Sequence, residues 1–156
     1  MKNLVYLILA SILLSCSSSK TVRTSKKTIK GDWVLSSLSY NKEHTLSVQL
    51  LNHASAACFE GSSWHFIPNN NSGTYTIENS ECTTSIRHFI FTVQEINAEN
   101  GFYDFLLKPT NRKGKSETNA GYRLELASLT ESSMQWVQRV SVNEKPFPIT
   151  MNFTKK

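Results

Sequence analysis

The stretch CFEGSSWHFIPNNNSGTYTIENSEC, residues 58–82, decides the fold of this chain. Two aromatic-rich segments flank three consecutive asparagines and a serine, residue types that accept turn geometry. This pattern predicts a β-hairpin. If Pro68 faces Gly73, Cys58 lies opposite the residue that follows Cys82. The two cysteines are then close enough for a disulfide across the open end of the hairpin.

Alternation of apolar and polar side chains continues along most of the chain after residue 30. Phe89, Phe91 and Val93, for example, share one face of a segment, which is the period of a half-buried strand. Most connections after residue 63 are short and no long helical crossover is available for parallel pairing, so the strands pair antiparallel in sequence order. Closure into a barrel hides the edges of such a sheet. The sequence therefore predicts an all-β, eight-stranded antiparallel up-and-down barrel with strands at 31–40, 63–68, 73–79, 86–95, 102–108, 120–127, 133–142 and 147–154.

Residues 44–57, between the first two predicted strands, have a different pattern. Leu46, Leu50, Leu51 and Ala54 are spaced as on one face of a helix. We expect a short helical or lid segment here, with a strand through 46–50 as the alternative.

The first fifteen residues have the features of a signal peptide. Lys2 is followed by an apolar run over residues 4–14, which is too short to span a bilayer. The run ends in Leu13-Leu14-Ser15-Cys16, which resembles the lipobox of bacterial lipoproteins. That resemblance implies cleavage before Cys16 and lipidation of its side chain and new N-terminus. An ordinary secretory signal with a chance cysteine is the alternative.

Positive charge is concentrated between the predicted lipid and the predicted barrel. Five of the 17 Lys and Arg residues lie between Cys16 and Gly31, whereas all 12 acidic residues follow Gly31. The barrel is thus almost neutral, which excludes a nucleic-acid-binding domain. We interpret residues 16–30 as a flexible, basic, Ser/Thr-rich tether that could also contact anionic headgroups, and residues 31–156 as a single domain.

The remaining two cysteines form an even pair in an exported chain, where disulfides persist. Closing a loop of about 25 residues is worth roughly 3 kcal/mol in the chain-entropy model. His53 and His65 lie near Cys58, but no CxxC or HxxxH spacing accompanies them. The chain also has no GxSxG or HExxH motif. We therefore expect no metal, no cofactor and no enzymatic activity.

Gly31-Asp32-Trp33 is similar to the GxW signature of lipocalins. Together with the lipoprotein signal, the tether, Trp64-x-Phe66, Gly73-Thr74-Tyr75 and the cysteine pair, it resembles the lipocalin-like lipoproteins of Bacteroidetes over most of residues 31–153. The resemblance implies an eight-stranded barrel with a lid after the first strand, anchored to the outer or, less often, the inner membrane. It also implies a basic residue packed on Trp33, for which Arg139 is a candidate.

Many aromatic residues fall on the predicted inward faces. They either fill the barrel or line a cavity, because eight strands enclose packed side chains or one small ligand. The candidates to line a ligand cavity are Trp64, Phe66, Tyr75, Phe91, Tyr103, Tyr122 and Trp136.

Two functional hypotheses follow. The first is a lipid-anchored envelope protein that binds a small hydrophobic or amphipathic ligand. The alternative is a non-enzymatic scaffold with a filled barrel that binds an envelope protein. Residues 17–20, Ser-Ser-Ser-Lys, contain no acidic cluster of the kind associated with surface export, so we expect an outer-membrane anchor with the domain facing the periplasm.

Overall fold

The computed structural model describes residues 20–40, 48–97, 102–116, 118–142 and 144–156, without the side chains of residues 95–97, 102, 103 and 142. The predicted signal peptide and Cys16 lie outside the described residues. The helices are α1 (Lys20–Ile29) and α2 (Ala56–Phe59). The strands are β1 (Gly31–Ser39), β2 (Gln49–Leu50), β3 (Ala54–Ser55), β4 (Ser63–Ile67), β5 (Ser72–Ile77), β6 (Ser85–Asn97), β7 (Phe102–Thr110), β8 (Tyr122–Leu129), β9 (Ser133–Val142) and β10 (Lys145–Lys155).

Eight of these strands form a closed barrel in the order β1-β10-β9-β8-β7-β6-β5-β4. Each strand pairs antiparallel with its neighbours. The predicted eight-stranded up-and-down barrel is confirmed, and the predicted strand limits agree to within two residues. β2 and β3 form a separate hairpin between β1 and β4.

The register of the β4–β5 hairpin differs from the prediction by two residues. Phe66, rather than Pro68, pairs with Gly73. The reason is a 3-10 turn over Pro68–Asn70, which Asn71 ends at φ 49° with its N–H bonded to the Pro68 carbonyl at 3.1 Å. A shift of two residues leaves every side chain on its predicted face. The predicted disulfide between Cys58 and Cys82 is present.

The lid segment is less helical than its spacing suggests. Residues 41–47 lie outside the described part of the chain. Leu51 and Asn52 have φ of 52° and 48°, a left-handed turn that no helix can contain, so residues 49–55 form the β2–β3 hairpin. A four-residue helix, α2, follows. The prediction of a short helical or lid segment after the first strand is confirmed, although the helix begins at Ala56 and extends past the predicted range of 44–57.

The tether prediction is wrong for residues 20–29, which form α1. Val22 and Ile29 are seven residues apart and so lie on one helix face, and both are buried against the barrel. The Trp33 indole N–H donates to the Ile29 carbonyl at 2.8 Å, and the Lys155 ammonium donates to the Thr28 carbonyl at 2.8 Å. Neither described helix is long and apolar enough to span a membrane.

The basic residue packed on Trp33 is Lys155, not Arg139. The Lys155 ammonium nitrogen lies 5.1 Å from the centroid of the Trp33 ring, and the two residues are paired between β1 and β10. Arg139 is on the outward face of β9, where its guanidinium bonds the Glu125 carboxylate at 2.9 Å.

The strand directions place α1 and the lid at opposite ends of the barrel. The helix end holds α1 at the start of β1, the turns at 68–71 and 130–132, and the C-terminus. The lid end holds residues 48–62 beyond the end of β1, together with the connections 78–84 and 111–121.

Candidate functional site

The middle of the barrel is filled by aromatic rings. Trp64 lies among them, with its ring centroid 4.6 Å from that of Tyr75 and 5.5 Å from that of Trp136. Phe105 stacks on Trp136 at 4.6 Å, and Phe66 lies 5.8 Å from the same ring. Rings at these separations are in direct contact. Of the two arrangements that the sequence allows, the structure shows packed rings at this level.

The predicted ligand-lining residues fall into different places. Four are buried within the packed rings, namely Trp64, Phe66, Phe91 and Trp136. Tyr75 is also buried, but its hydroxyl reaches the lid end, and Tyr122 is half-buried where β8 begins. The side chain of Tyr103 lies outside the described residues. A molecule that approaches from the lid end therefore reaches the Tyr75 hydroxyl before any of the four buried rings.

A polar cluster of His53, Tyr75, Ser85 and Arg87 closes the lid end. The β2–β3 turn carries His53, while Tyr75 and Arg87 are directly paired across β5 and β6. The imidazole Nδ1 lies 2.9 Å from the Tyr75 hydroxyl, and Nε2 lies 3.0 Å from Arg87 Nε and 3.3 Å from the Ser85 hydroxyl. The imidazole thus joins the lid to two strands of the barrel.

The hydrogen bonds of this cluster define its protonation. Arg87 Nε can only donate, so His53 Nε2 accepts, and a neutral ring then carries its proton on Nδ1 and donates it to Tyr75. Burial and then the Arg87 charge lower the pKa of His53. Burial, partly opposed by Arg87 and reinforced by Tyr122, raises the pKa of Tyr75 well above its ordinary value. The Tyr75 hydroxyl therefore accepts from His53 and keeps its own hydrogen for another acceptor.

A cavity of about 150 Å³ opens beside this cluster. Arg87 is exposed there and makes no ion pair with any carboxylate of the described residues. The guanidinium, the Tyr75 hydroxyl and neighbouring amide and hydroxyl groups supply hydrogen-bond donors to one small volume. Its lining residues are Asn52, His53, Tyr75, Arg87, Pro109, Thr110 and Thr118.

Arg87 and His53 are functional candidates that the sequence prediction missed. Arg87 lies two residues before Phe89, so the alternation that placed Phe89 and Phe91 inside also places Arg87 on the inward face. That signal was available in the sequence. His53 had no comparable signal, because its position depends on the left-handed turn at Leu51 and Asn52.

A larger groove of about 670 Å³ runs along the barrel wall between the 68–71 turn and the start of β8. The outward-facing Ile90, 38% exposed, and Leu106 contribute apolar surface, and Lys108 and Arg123 lie beside them. Arg123 is already paired with Asp104 at 3.1 Å. This groove is an apolar feature of the outer surface.

Two buried polar atoms on β9, the indole nitrogen of Trp136 and Oε1 of Gln138, have no hydrogen-bond partner among the described residues. Each such group costs about 1–3 kcal/mol. Both side chains are on the inward face. The barrel interior thus contains one donor and one acceptor without a partner among the described residues.

A histidine–carboxylate pair lies on the outer face of the barrel. His65 bonds Asp32 at 2.6 Å on the exposed outer face, with no Ser or Cys nucleophile in that pair. Within the described ranges, no group of three His, Cys, Asp or Glu side chains could hold a metal ion.

No protein family, curated protein or solved structure matches this chain. We therefore argue the function of the chain from the barrel and from the polar cluster at its lid end.

Proposed function

We propose that this chain is a lipid-anchored, lipocalin-like protein of the cell envelope, and that its lid end binds a small amphipathic molecule through an anionic group. The observation that carries the proposal is the exposed Arg87 guanidinium beside the Tyr75 hydroxyl, without an ion-pair partner in the described structure. A carboxylate or phosphate supplies acceptors for both groups.

The size of the cavity limits which part of a ligand enters it. Pockets that enclose drug-sized ligands measure about 300–1,000 Å³, whereas this cavity measures about 150 Å³. It accommodates a head group. The packed rings below Tyr75 exclude deep insertion of an apolar tail, so the tail lies at the lid end, against Pro109 and the lid.

The proposed location follows from the N-terminal sequence. Lipidation of Cys16 would hold the domain at a membrane, and the signal before it would export the chain. The disulfide is consistent with an oxidising compartment such as the periplasm. We place the anchor in the outer membrane with the domain facing the periplasm.

Paired ligands and paired variants test the binding proposal. We expect long-chain fatty acids to raise the melting temperature of the protein, whereas their uncharged methyl esters do not. Arg87→Gln should weaken binding about tenfold or more, since hydrogen bonds to charged groups contribute about 1.5–3 kcal/mol. Arg112→Gln, at an exposed position just after β7, is the matched control and should bind as the wild type does. Equal binding of acid and ester, or wild-type binding by Arg87→Gln, would contradict the proposal.

The outer groove favours a second candidate function, an interaction module for an envelope protein. Ile90, which lines the groove, is 38% exposed, and Ile67 and Ile86 elsewhere on the outer wall are 39% and 65% exposed. Exposed apolar patches often mark protein contacts. Crosslinking in membranes should then recover a stoichiometric partner with the wild type. Ile90→Asp should lose that partner, whereas Ser141→Asp, on the exposed face of β9, should keep it. Failure to recover any stoichiometric partner would remove this candidate.

A further inference from the structure

The docked helix α1 separates its basic residues from its apolar residues. At about 100° per residue, Lys20, Arg23 and Lys27 fall within an arc of about 60°, on the side away from Val22 and Ile29. All three basic residues are exposed, and the exposed Lys30 follows directly. We call Lys20, Arg23, Lys27 and Lys30 the cationic face.

The contacts of α1 hold this face in a fixed direction. Trp33 and Lys155 bond the last carbonyls of the helix, and the Lys26 ammonium donates to Asn71 Oδ1 at 2.6 Å. With Val22 and Ile29 buried, rotation of the helix would break apolar and polar contacts together. The cationic face is therefore a rigid surface on the helix end of the barrel.

No carboxylate neutralises this surface in the part of the chain that the structure describes. None of the ion pairs among those residues includes Lys20, Arg23, Lys27 or Lys30. Residues 16–30 contain no acidic residue. The cations are free to bind an external anionic surface.

We propose that the cationic face of α1 binds the headgroups of anionic phospholipids and holds the barrel upright on the bilayer, with the lid end facing away from the membrane. This inference rests on the proposed lipid anchor at Cys16. Four residue steps separate Cys16 from Lys20 and can span at most about 14 Å. An acylated Cys16 thus keeps α1 next to the bilayer, where Lys and Arg residues attract anionic lipid.

This arrangement places the two ends of the barrel in different surroundings. The helix end faces the headgroups, while Arg87 and the lid-end cavity face the aqueous compartment. A ligand then enters from water or from another protein and not directly from the supporting leaflet.

Energy transfer to a headgroup acceptor tests the orientation. Full-length protein, purified with its anchor, carries a donor dye at Thr24→Cys on α1 or at Ser141→Cys near the lid end. It is reconstituted in phosphatidylethanolamine vesicles with phosphatidylglycerol, or in phosphatidylcholine vesicles. We expect much stronger transfer from residue 24 than from residue 141 in the anionic vesicles. The difference should shrink in phosphatidylcholine and at high salt, which screens exposed charges.

Charge reversal on the helix provides the specific variant. Arg23→Glu with Lys27→Glu changes exposed side chains only and should lose the difference between the two labels in anionic vesicles. The control, Lys113→Glu with Lys115→Glu at two exposed positions after β7, should retain it. The inference is overturned if the difference in energy transfer between labels at residues 24 and 141 is the same in both lipid mixtures. It is also overturned if that difference persists in the charge-reversal variant.

Sedimentation with vesicles separates this inference from the proposed anchor. An acylated chain pellets with both lipid mixtures even at high salt. Failure to pellet at high salt therefore contradicts the lipid anchor but not the cationic face. A chain without acyl groups still tests the cationic face at low salt. Pelleting only with anionic vesicles supports the face, and no pelleting overturns it.

Discussion

The two ends of this barrel are closed by different interactions. At the helix end, α1 buries Val22 and Ile29, and Trp33 is buried under the helix with Lys155 over its ring. At the lid end, the Cys58–Cys82 disulfide and hydrogen bonds of His53 connect the lid to the strands. The lid also buries Leu50, Leu51 and Phe59, so apolar packing contributes at both ends, whereas the covalent link and the polar cluster are found at the lid end.

The difference indicates which end can carry a function. Burial of apolar surface stabilises a closure but leaves no hydrogen-bonding group for a ligand. A polar cluster next to a cavity exposes donors that a ligand can use, and the disulfide adds stability to a lid that also packs on the barrel through Phe59. Binding residues commonly lie on such connections above a rigid scaffold. Substitutions at each end should show whether this division is real.

The largest effect is expected from Trp33→Ala at the helix end. The side chain is fully buried, and truncation of a buried tryptophan costs about 3–5 kcal/mol. Chemical denaturation of the wild type and variant measures the change in the free energy of unfolding. Trp33→Phe keeps most of the apolar contact but loses the bond to the Ile29 carbonyl, and it should cost clearly less. A loss below about 1 kcal/mol for Trp33→Ala would show that apolar packing does not hold the helix end.

The disulfide should have the next largest effect on the free energy of unfolding, and its effect on local opening should be largest at the lid end. Cys58→Ser with Cys82→Ser opens a loop with a sequence separation of 24 and should cost about 3 kcal/mol in the chain-entropy model. Amide hydrogen exchange should accelerate in residues 48–62 and 78–84 more than in α1. Equal acceleration at both ends would contradict the division between them.

The barrel and the disulfide could be predicted from sequence because both depend on local patterns. Alternation assigned the inward faces, and it remained correct when the 68–71 turn changed the hairpin register by two residues. The helix α1 could not be predicted in this way. Only Val22 and Ile29 distinguish it from a solvated basic segment, and their burial depends on the barrel end that they meet.

Only part of the candidate site could be predicted from the sequence. Tyr75 was correctly placed on an inward face, yet its hydroxyl partner, His53, is 22 residues away across an irregular turn. Whether the aromatic rings enclose a cavity or fill the barrel depends on their relative orientations. Ring orientation is a property of the packed structure that residue spacing does not determine.

Tyr75→Phe isolates the polar part of the lid-end closure. The substitution keeps the stacked ring at 4.6 Å from Trp64 and removes the acceptor for His53 Nδ1. A hydrogen bond of this kind contributes about 1 kcal/mol. We expect a loss of that size in the free energy of unfolding, together with faster exchange of the lid amides. Unchanged stability and unchanged lid exchange would mean that the cluster does not hold the lid.

The smallest effect concerns the response of the lid end to pH. Burial and Arg87 lower the pKa of His53 in the folded protein, whereas in the unfolded chain it lies near the ordinary value of about 6.5. Below about pH 6.5 the unfolded chain therefore binds a proton that the folded chain does not, and unfolding becomes more favourable. The His53 contribution to stability is complete above this pH and is lost as the pH falls toward the lowered value.

Comparison of histidine variants separates this effect from the titration of other groups. The free energy of unfolding is measured by urea denaturation at several pH values between about 5 and 7.5. His53→Gln should reduce the decline in stability toward acidic pH. The reduction should be the same when His53→Gln is made in a His88→Gln background, because His88 is on the outward face of β6. If the wild type and His53→Gln lose stability in parallel, the imidazole does not control the lid end. If the decline is shallower only in His53→Gln, acidification loosens the lid end while α1, which is held without a titrating imidazole, keeps the opposite end closed.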